Sequence, residues 1–246
     1  MIILSSKYDC CGCEACAQRC THNAIKMVRD NEGFLYPEID IHICTDCGLC
    51  EKVCPIINQS KQKVPFVAYA AKNKDEIIRL KSSSGGIFTL LATKTINNGG
   101  VVFGTKFDEQ WKVVHDYVET IEDLAKFRGS KYVQSQIGNC YEIAEIFLKN
   151  GREVLFSGTP CQIAGLKGYL MKDYDNLLTI DIICHGVPSS KFFKDYIADE
   201  KKDNIRDVKD RSEKVKRNIE DLADKIYQMS FIGIDISDYI TQYNAV

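Results

Sequence analysis

The chain is as informative in what it lacks as in what it holds. Its 246 residues contain no apolar run near the length needed to cross a bilayer. Lys and Arg number 32 against 34 Asp and Glu, for a net charge of -2, so no basic excess points to nucleic acid or an anionic membrane surface. Residues 1–10 show no apolar core behind a basic end, so a secretory signal is not expected there. Proline is scarce, at five, and there is one tryptophan. The length is enough for one or two domains with a proper core, so cysteines are not needed as structural staples. Yet there are twelve, and nine lie between residues 10 and 54. Cysteine-dense loops that bind metal, in a chain without an export signal, predict a reducing, cytoplasmic setting.

Cys10, Cys13, Cys16 and Cys20 follow C-x2-C-x2-C-x3-C. Cys44, Cys47, Cys50 and Cys54 repeat that spacing, with Pro55 after the last. Three closely spaced thiolates grip three corners of a [4Fe–4S] cube, and in the bacterial two-cluster ferredoxin pattern the fourth reaches the other cube. The expected sets are therefore Cys10, Cys13, Cys16 and Cys54 for one cluster, and Cys44, Cys47, Cys50 and Cys20 for the other. A disulfide framework or zinc sites fit less well, because zinc takes four ligands, usually as separated pairs. Thr21 stands where a proline usually follows the fourth cysteine. Cys11 is extra, and is expected to be a small packing residue rather than a fallback ligand.

Residues 1–60 thus read as a cluster module. Ala24–Val28 and Phe34–Pro37 are expected strands about an Asp30–Gly33 turn, and each cysteine run is expected to enter a short helix at its third cysteine. Residues 59–65 read as a linker. From residue 66 to 200, strands and helices alternate, which predicts an α/β domain with a mixed sheet. Strands are expected at 66–70, 101–107, 113–118, 153–156 and 177–184, the last two buried. Helices are expected at 75–80, 87–97, 121–127, 141–149, 162–171 and 192–202. The fold class is therefore an α+β ferredoxin-like module, then an α/β domain, then a charged helical tail at 201–246. In residues 200–229, 17 of 30 are charged, with Val215, Ile219, Leu222 and Ile226 at helical spacing.

Ligands of such sheets gather where strands run into helices. Ser82–Gly86 precedes a helix and offers backbone N–H groups to an anion, or is an ordinary cap. Ser157–Cys161 carries Pro160 at the start of a helix, where the Cys161 thiol is expected to have a lowered pKa. Asp181–Pro188 sets Cys184, His185 and Gly186 at a strand end. His185 reads equally as a packing residue or as a participant in chemistry.

Taken together, these stretches resemble the family of coenzyme F420 hydrogenase/dehydrogenase beta subunits. The resemblance lies in Ser82–Phe88, Gly100–Gly104, Arg128–Ser135, Leu155–Leu166 and Asp181–Ser189. It implies an iron–sulfur flavoprotein oxidoreductase, with FAD in the α/β domain exchanging electrons with the clusters. It also implies a one-electron carrier such as ferredoxin as partner, and a small-molecule substrate or deazaflavin-like cofactor whose identity does not carry over. On that footing Ser83, Ser84, Gly85 and Gly86 are candidates for the FAD pyrophosphate, as are Gly129, Ser130 and Lys131. Thr159 and Gln162 are expected at the isoalloxazine or substrate, with Cys161, Cys184 and His185 as catalytic candidates. The family's C-terminal part is expected to be missing or replaced here. That leaves a second class open, a cluster-binding electron-transfer protein that depends on a partner for chemistry.

Overall fold

The structure is a computed structural model that describes residues 2–59, 67, 69–202 and 241–242. The expected linker and the charged tail beyond residue 202 lie outside these residues, apart from 59 and the pair 241–242.

The first 59 residues form α1 (Ala15–Arg19), the hairpin β1 (Ile25–Arg29) and β2 (Leu35–Ile39), and α2 (Leu49–Lys52). The strands pair antiparallel from Ile25↔Ile39 to Arg29↔Leu35. The turn is held by Asp30, whose carboxylate accepts from the Glu32 and Phe34 backbone N–H groups. Each helix does contain its run's third cysteine, Cys16 or Cys50. The two cysteine runs repeat in backbone as well as in sequence. Gly12 and Asp46, just before each second cysteine, are left-handed (φ 64° and 53°), and so are Glu14 and Gly48 just after it (φ 63° and 73°). Two left-handed residues flanking one cysteine curl the chain so that successive thiols converge.

The remainder builds a four-stranded sheet of order β5-β4-β6-β7. The strands are β4 (Val101–Phe107), β5 (Val113–Val118), β6 (Val154–Gly158) and β7 (Leu177–Asp181). β5 runs antiparallel to β4, while β4, β6 and β7 are parallel, as a mixed sheet requires. Alternation along the strands sorts residues onto two faces. Val101, Phe103, Val154 and Phe156 pack with α5 (Cys140–Lys149) and α6 (Pro160–Leu170). Val102 and Leu155 pack on the other side with α4 (Ile87–Asn97) and the helix expected at 121–127, which is a 3-10 helix over Glu122–Phe127. A two-stranded parallel pair joins β3 (Tyr69–Ala70) to β8 (Thr241–Gln242). The short helix α3 (Glu76–Leu80) is capped by Asp75, and α7 (Ser190–Lys202) ends the continuous described chain.

The last strand departs from expectation. β6 is buried throughout, but β7 is an edge strand that ends at Asp181, with Leu178 40 %, Ile182 51 % and Ile183 85 % exposed. Its apolar composition suggested burial on both sides, but among the described residues β7 has a neighbour only in β6.

The cluster module is not a separate bead. Its Cys13, Ala15 and Val53 belong to the same buried core as α5 and α6. Close approach depends on two glycines of α6. A Cβ on Gly165 would lie 3.0 and 3.1 Å from the Cys13 Cβ and Sγ, and one on Gly168 would lie 2.4 Å from the Val53 carbonyl oxygen. Polar groups fasten the same seam. The Glu14 carboxylate accepts from Ile137 N–H (2.8 Å) and Gly138 N–H (3.1 Å), and Gln18 Oε1 accepts from Tyr141 N–H. Arg19 pairs with Glu145 and lies over the Tyr169 ring. Among the described residues, no helix is long and apolar enough to cross a membrane.

Candidate redox site

The converging loops leave two cavities. One is lined by Cys20, Cys44, Cys47 and Cys50, together with His22, Ile25 and Ile39. The other is lined by Cys10, Cys13, Cys16 and Cys54, together with Cys11, Glu14 and Met27. These groups are the two crosswise sets expected from the spacing, and no cysteine is in a disulfide. Backbone N–H groups point at the sulfurs: Gly12 N–H donates to Cys10 Sγ (3.4 Å) and Ala24 N–H to Cys20 Sγ (3.3 Å). Burial pushes the Cys16 thiol up to about 12 and raises those of Cys10 and Cys50. Four cysteine sulfurs around one cavity are the donor set a soft iron–sulfur cube takes, so each set suits such a cluster. The two sites differ in exposure. Cys47 of the first is at the surface, whereas the second lies against α6.

At the end of β6 the chain turns into α6 through a capping box. The Thr159 side chain accepts from the Gln162 backbone N–H, and Gln162 Oε1 accepts from Thr159 N–H. Gln162 is buried, and its Nε2 donates to Ser135 Oγ at 2.7 Å. Ser135 in turn meets His115 Nδ1 (3.1 Å), and His115 Nε2 meets the Ser157 carbonyl (3.2 Å). The Ser157 carbonyl can only accept, so the proton of a neutral His115 sits on Nε2 and Nδ1 accepts from the Ser135 hydroxyl. Complete burial agrees, pushing the His115 pKa down to about 4. Gln162 thus spends its side chain inside the fold, where the sequence placed it at a ligand.

Cys161 is half-buried beside the cluster loop. Thr159 Oγ1 lies 3.1 Å from its Sγ. The helix start was expected to lower the Cys161 pKa. Instead the neighbouring Cys11 thiol and burial raise it well above the ordinary thiol range.

The two phosphate candidates come together, since Ser130 N–H donates to Ser83 Oγ (3.1 Å) at the approach to α4. Gly86 is the left-handed residue before α4 (φ 74°). Gly85 is small for a different reason from the one expected. A Cβ there would lie 2.5 Å from the Ala71 carbonyl oxygen, so it is the chain's own backbone that approaches. Gly129 (φ 81°) faces open space. The Lys131 ammonium donates to the Lys126 and Arg128 carbonyls, and burial pushes its pKa down to about 8. Arg128 Nε donates to Thr89 Oγ1 within α4. Cys184 and His185 lie exposed on the segment leaving β7, outside the buried network.

Glu14, His115 and Ser135 were not singled out by the sequence. His115 sits at an inward position of a strand that alternates, which is a detectable cue. Glu14 offers none beyond its place between Cys13 and Cys16.

Comparison with known proteins fits this geometry. Residues 9–56 match the 4Fe-4S dicluster domain. Residues 68–140 match the N-terminal model of the coenzyme F420 hydrogenase/dehydrogenase beta subunit, and residues 151–235 match its C-terminal model. The C-terminal part is therefore present, and the expectation that it was missing or replaced was wrong. The charge-rich composition after residue 200 spoke to solvation and carried no information about descent. The chain is 25% identical over 221 residues to one of the subunits of the F(420)H(2) dehydrogenase of Methanosarcina mazei, covering 81% of this chain and 60% of that protein. It is 30% identical over 129 residues to the coenzyme F420-dependent sulfite reductase of Methanocaldococcus jannaschii, covering 49% of this chain and 19% of the reductase. It thus spans less than two thirds of either relative. A chain of the xenon-derivatised F420-reducing [NiFe] hydrogenase complex from Methanosarcina barkeri aligns with TM-score 0.44 and 23% identity, over 56% of this chain and 53% of that one. The two beta-subunit models together span well over half of the sequence, and a dicluster domain precedes them: the chain belongs to the family of coenzyme F420 hydrogenase/dehydrogenase beta subunits.

Proposed function

We propose that the protein passes electrons between two [4Fe–4S] clusters, an FAD and an organic substrate or carrier. The observation that carries this reading is the pair of four-cysteine cavities, one at the surface and one against α6 where the sheet ends. Cys44, Cys47, Cys50 and Cys20 hold the outer cluster, and exposed Cys47 marks where a one-electron carrier such as ferredoxin approaches. Cys10, Cys13, Cys16 and Cys54 hold the inner one. Gly165 and Gly168 let α6 lie close enough for the inner site to abut the strand–helix corner.

The residues present fit a flavin nucleotide. Ser83, Ser130 and the start of α4 form one patch, with the Lys131 and Arg128 cations beside it, and a helix start favours a pyrophosphate. Bound flavin supplies the conversion between one-electron and two-electron chemistry. The chain's part is orientation. Thr159 is fixed by its capping box, and the His115–Ser135–Gln162 chain holds the corner rigid from within. A deazaflavin of the kind named in the two curated relatives is the first substrate to try. A reducing compartment such as the cytoplasm suits the twelve unpaired thiols.

The test is acid extraction of the anaerobically purified protein, with flavin quantified per chain. About one FAD per chain is expected. No flavin, with none taken up on titration, would sink the flavin reading while leaving the clusters standing.

A further inference from the structure

The outer cysteine set opens on a face whose charge is unlike that of the rest of the chain. Residues 30–51 hold six carboxylates, Asp30, Glu32, Glu38, Asp40, Asp46 and Glu51, and no lysine or arginine. Elsewhere the balance is reversed, with 32 basic residues against 28 acidic ones, the 34 of the whole chain less these six. Two of the six are offset locally: Asp30 pairs with Lys7, and Glu38 stands opposite Lys26 across the hairpin. Lys52 is the first cation after the run. Asp40 and Asp46 are exposed, and Asp46 lines the outer cavity together with Cys47. Four thiolates outweigh the positive charge of a cube core, so a loaded outer cluster adds to this negative field.

The turn that carries Asp40 also sets apolar groups outward. The Asp40 carbonyl accepts from Ile43 N–H (3.2 Å) and Cys44 N–H (3.0 Å), and its carboxylate accepts from His42 N–H (2.9 Å). Ile39, just before the turn, lines the outer cavity, whereas Ile41 and Ile43 are 68 % and 47 % exposed. Apolar side chains at the surface with a polar rim are the usual make-up of a protein contact. We infer that this face, with Ile41 and Ile43 beside exposed Cys47 and the Asp40 and Asp46 carboxylates, docks a one-electron carrier protein whose contact surface is apolar at its centre and ringed by lysine and arginine. The inference rests on the outer cluster being where electrons enter or leave. Opposite charges steer the two faces together and fix their register, while an acidic carrier is repelled.

The experiment mixes the fully loaded chain, reduced and freed of excess reductant, with basic cytochrome c, acidic cytochrome b5 or a neutral quinone in a stopped-flow instrument. With either cytochrome, one electron leaves a reduced cluster and one ferric haem becomes ferrous. The cytochrome c rate should fall about tenfold as ionic strength rises from about 0.01 M to about 0.1 M, and the cytochrome b5 rate should rise. Asp40→Asn with Asp46→Asn removes two charges but keeps the acceptor for His42 N–H and suits the left-handed position at 46 (φ 53°). This pair should lose most of the salt dependence and keep the quinone rate. Glu109→Gln with Glu122→Gln, both exposed on the α/β domain, changes net charge equally and should behave as the parent. Ile41→Ser should slow cytochrome c at every salt concentration. Independently of rate, a carbodiimide should join cytochrome c lysines to Asp40 or Asp46, mapped by mass spectrometry. A cytochrome c rate indifferent to salt, a cytochrome b5 rate that falls with salt, equal effects of the two double variants, or crosslinks that avoid this loop would each overturn the docking face and leave the outer cluster as the entry point. Oxidation by the quinone but by neither cytochrome would overturn both.

Discussion

His115 offers a quantitative test of how the strand–helix corner is held. Replacing it by Leu removes the donor to the Ser157 carbonyl and the acceptor of the Ser135 hydroxyl, and ends its ring stacking on Phe156 at 5.5 Å. Ser135 keeps its bond from Gln162, so one buried group is stranded and another is half-satisfied. At about 1–3 kcal/mol per stranded group plus the stacking, His115→Leu should cost about 2–4 kcal/mol at pH 8. The cost must also depend on pH. In the unfolded chain the imidazole takes its proton near pH 6.5, whereas in the fold it does so only near about 4. Between those values the unfolded state binds more protons, so the contribution of neutral His115 is complete above pH 6.5 and is lost as pH falls towards 4. At pH 5 the parent gives up about 2 kcal/mol relative to pH 8. The variant, with no imidazole, gives up nothing at this position. Urea unfolding followed by circular dichroism, for parent and variant side by side, cancels acid effects elsewhere in the chain. The stability gap should narrow by about 2 kcal/mol between pH 8 and pH 5. A gap that stays constant, or one near zero at pH 8, would refute the network as drawn.

Glu14→Ala strands the Ile137 and Gly138 N–H groups, at about 1–3 kcal/mol each, and should loosen the seam between the cluster loop and α5. Hydrogen exchange at those two amides should accelerate, and Glu14→Gln, which keeps an acceptor oxygen, should lie between; unchanged exchange in the alanine variant would contradict the role. Lys131→Met removes a cation beside the Ser83–Ser130 patch and should weaken FAD uptake about threefold in a fluorescence titration, the middle of the range for one charge at a helix-terminus anion site. Equal affinity would move the pyrophosphate site elsewhere.

Much of this was legible in the chain because local chemistry set it. The cysteine runs repeat, and the structure repeats their left-handed residues. Helix α4 and strands β4 and β5 fall at the residues their apolar periodicity and the Asn98–Gly100 and Asp108–Gln110 breaks indicated. What misled was composition standing in for context. An apolar run at 177–184 has the same look in a central strand as in an edge strand, and only the pairing of β7 distinguishes them. Gly85 has a short backbone contact, but with Ala71 rather than with a ligand. The pKa of Cys161 is governed by Cys11, 150 positions earlier in the chain, and no reading of the helix start could supply that neighbour. Glu14 and His115 matter through partners on other elements, and long-range pairing of that kind leaves no local mark.

The central claim is that the eight cysteines of the two runs hold two cubane clusters, one deep and one at the surface. Iron and acid-labile sulfide measured on the anaerobically reconstituted chain, beside Cys47→Ala, test it most directly. The parent should hold about eight of each, and the variant should lose mainly the outer cluster and keep about four. A parent that saturates at about four iron, or that takes up zinc in place of iron and sulfide, would contradict it.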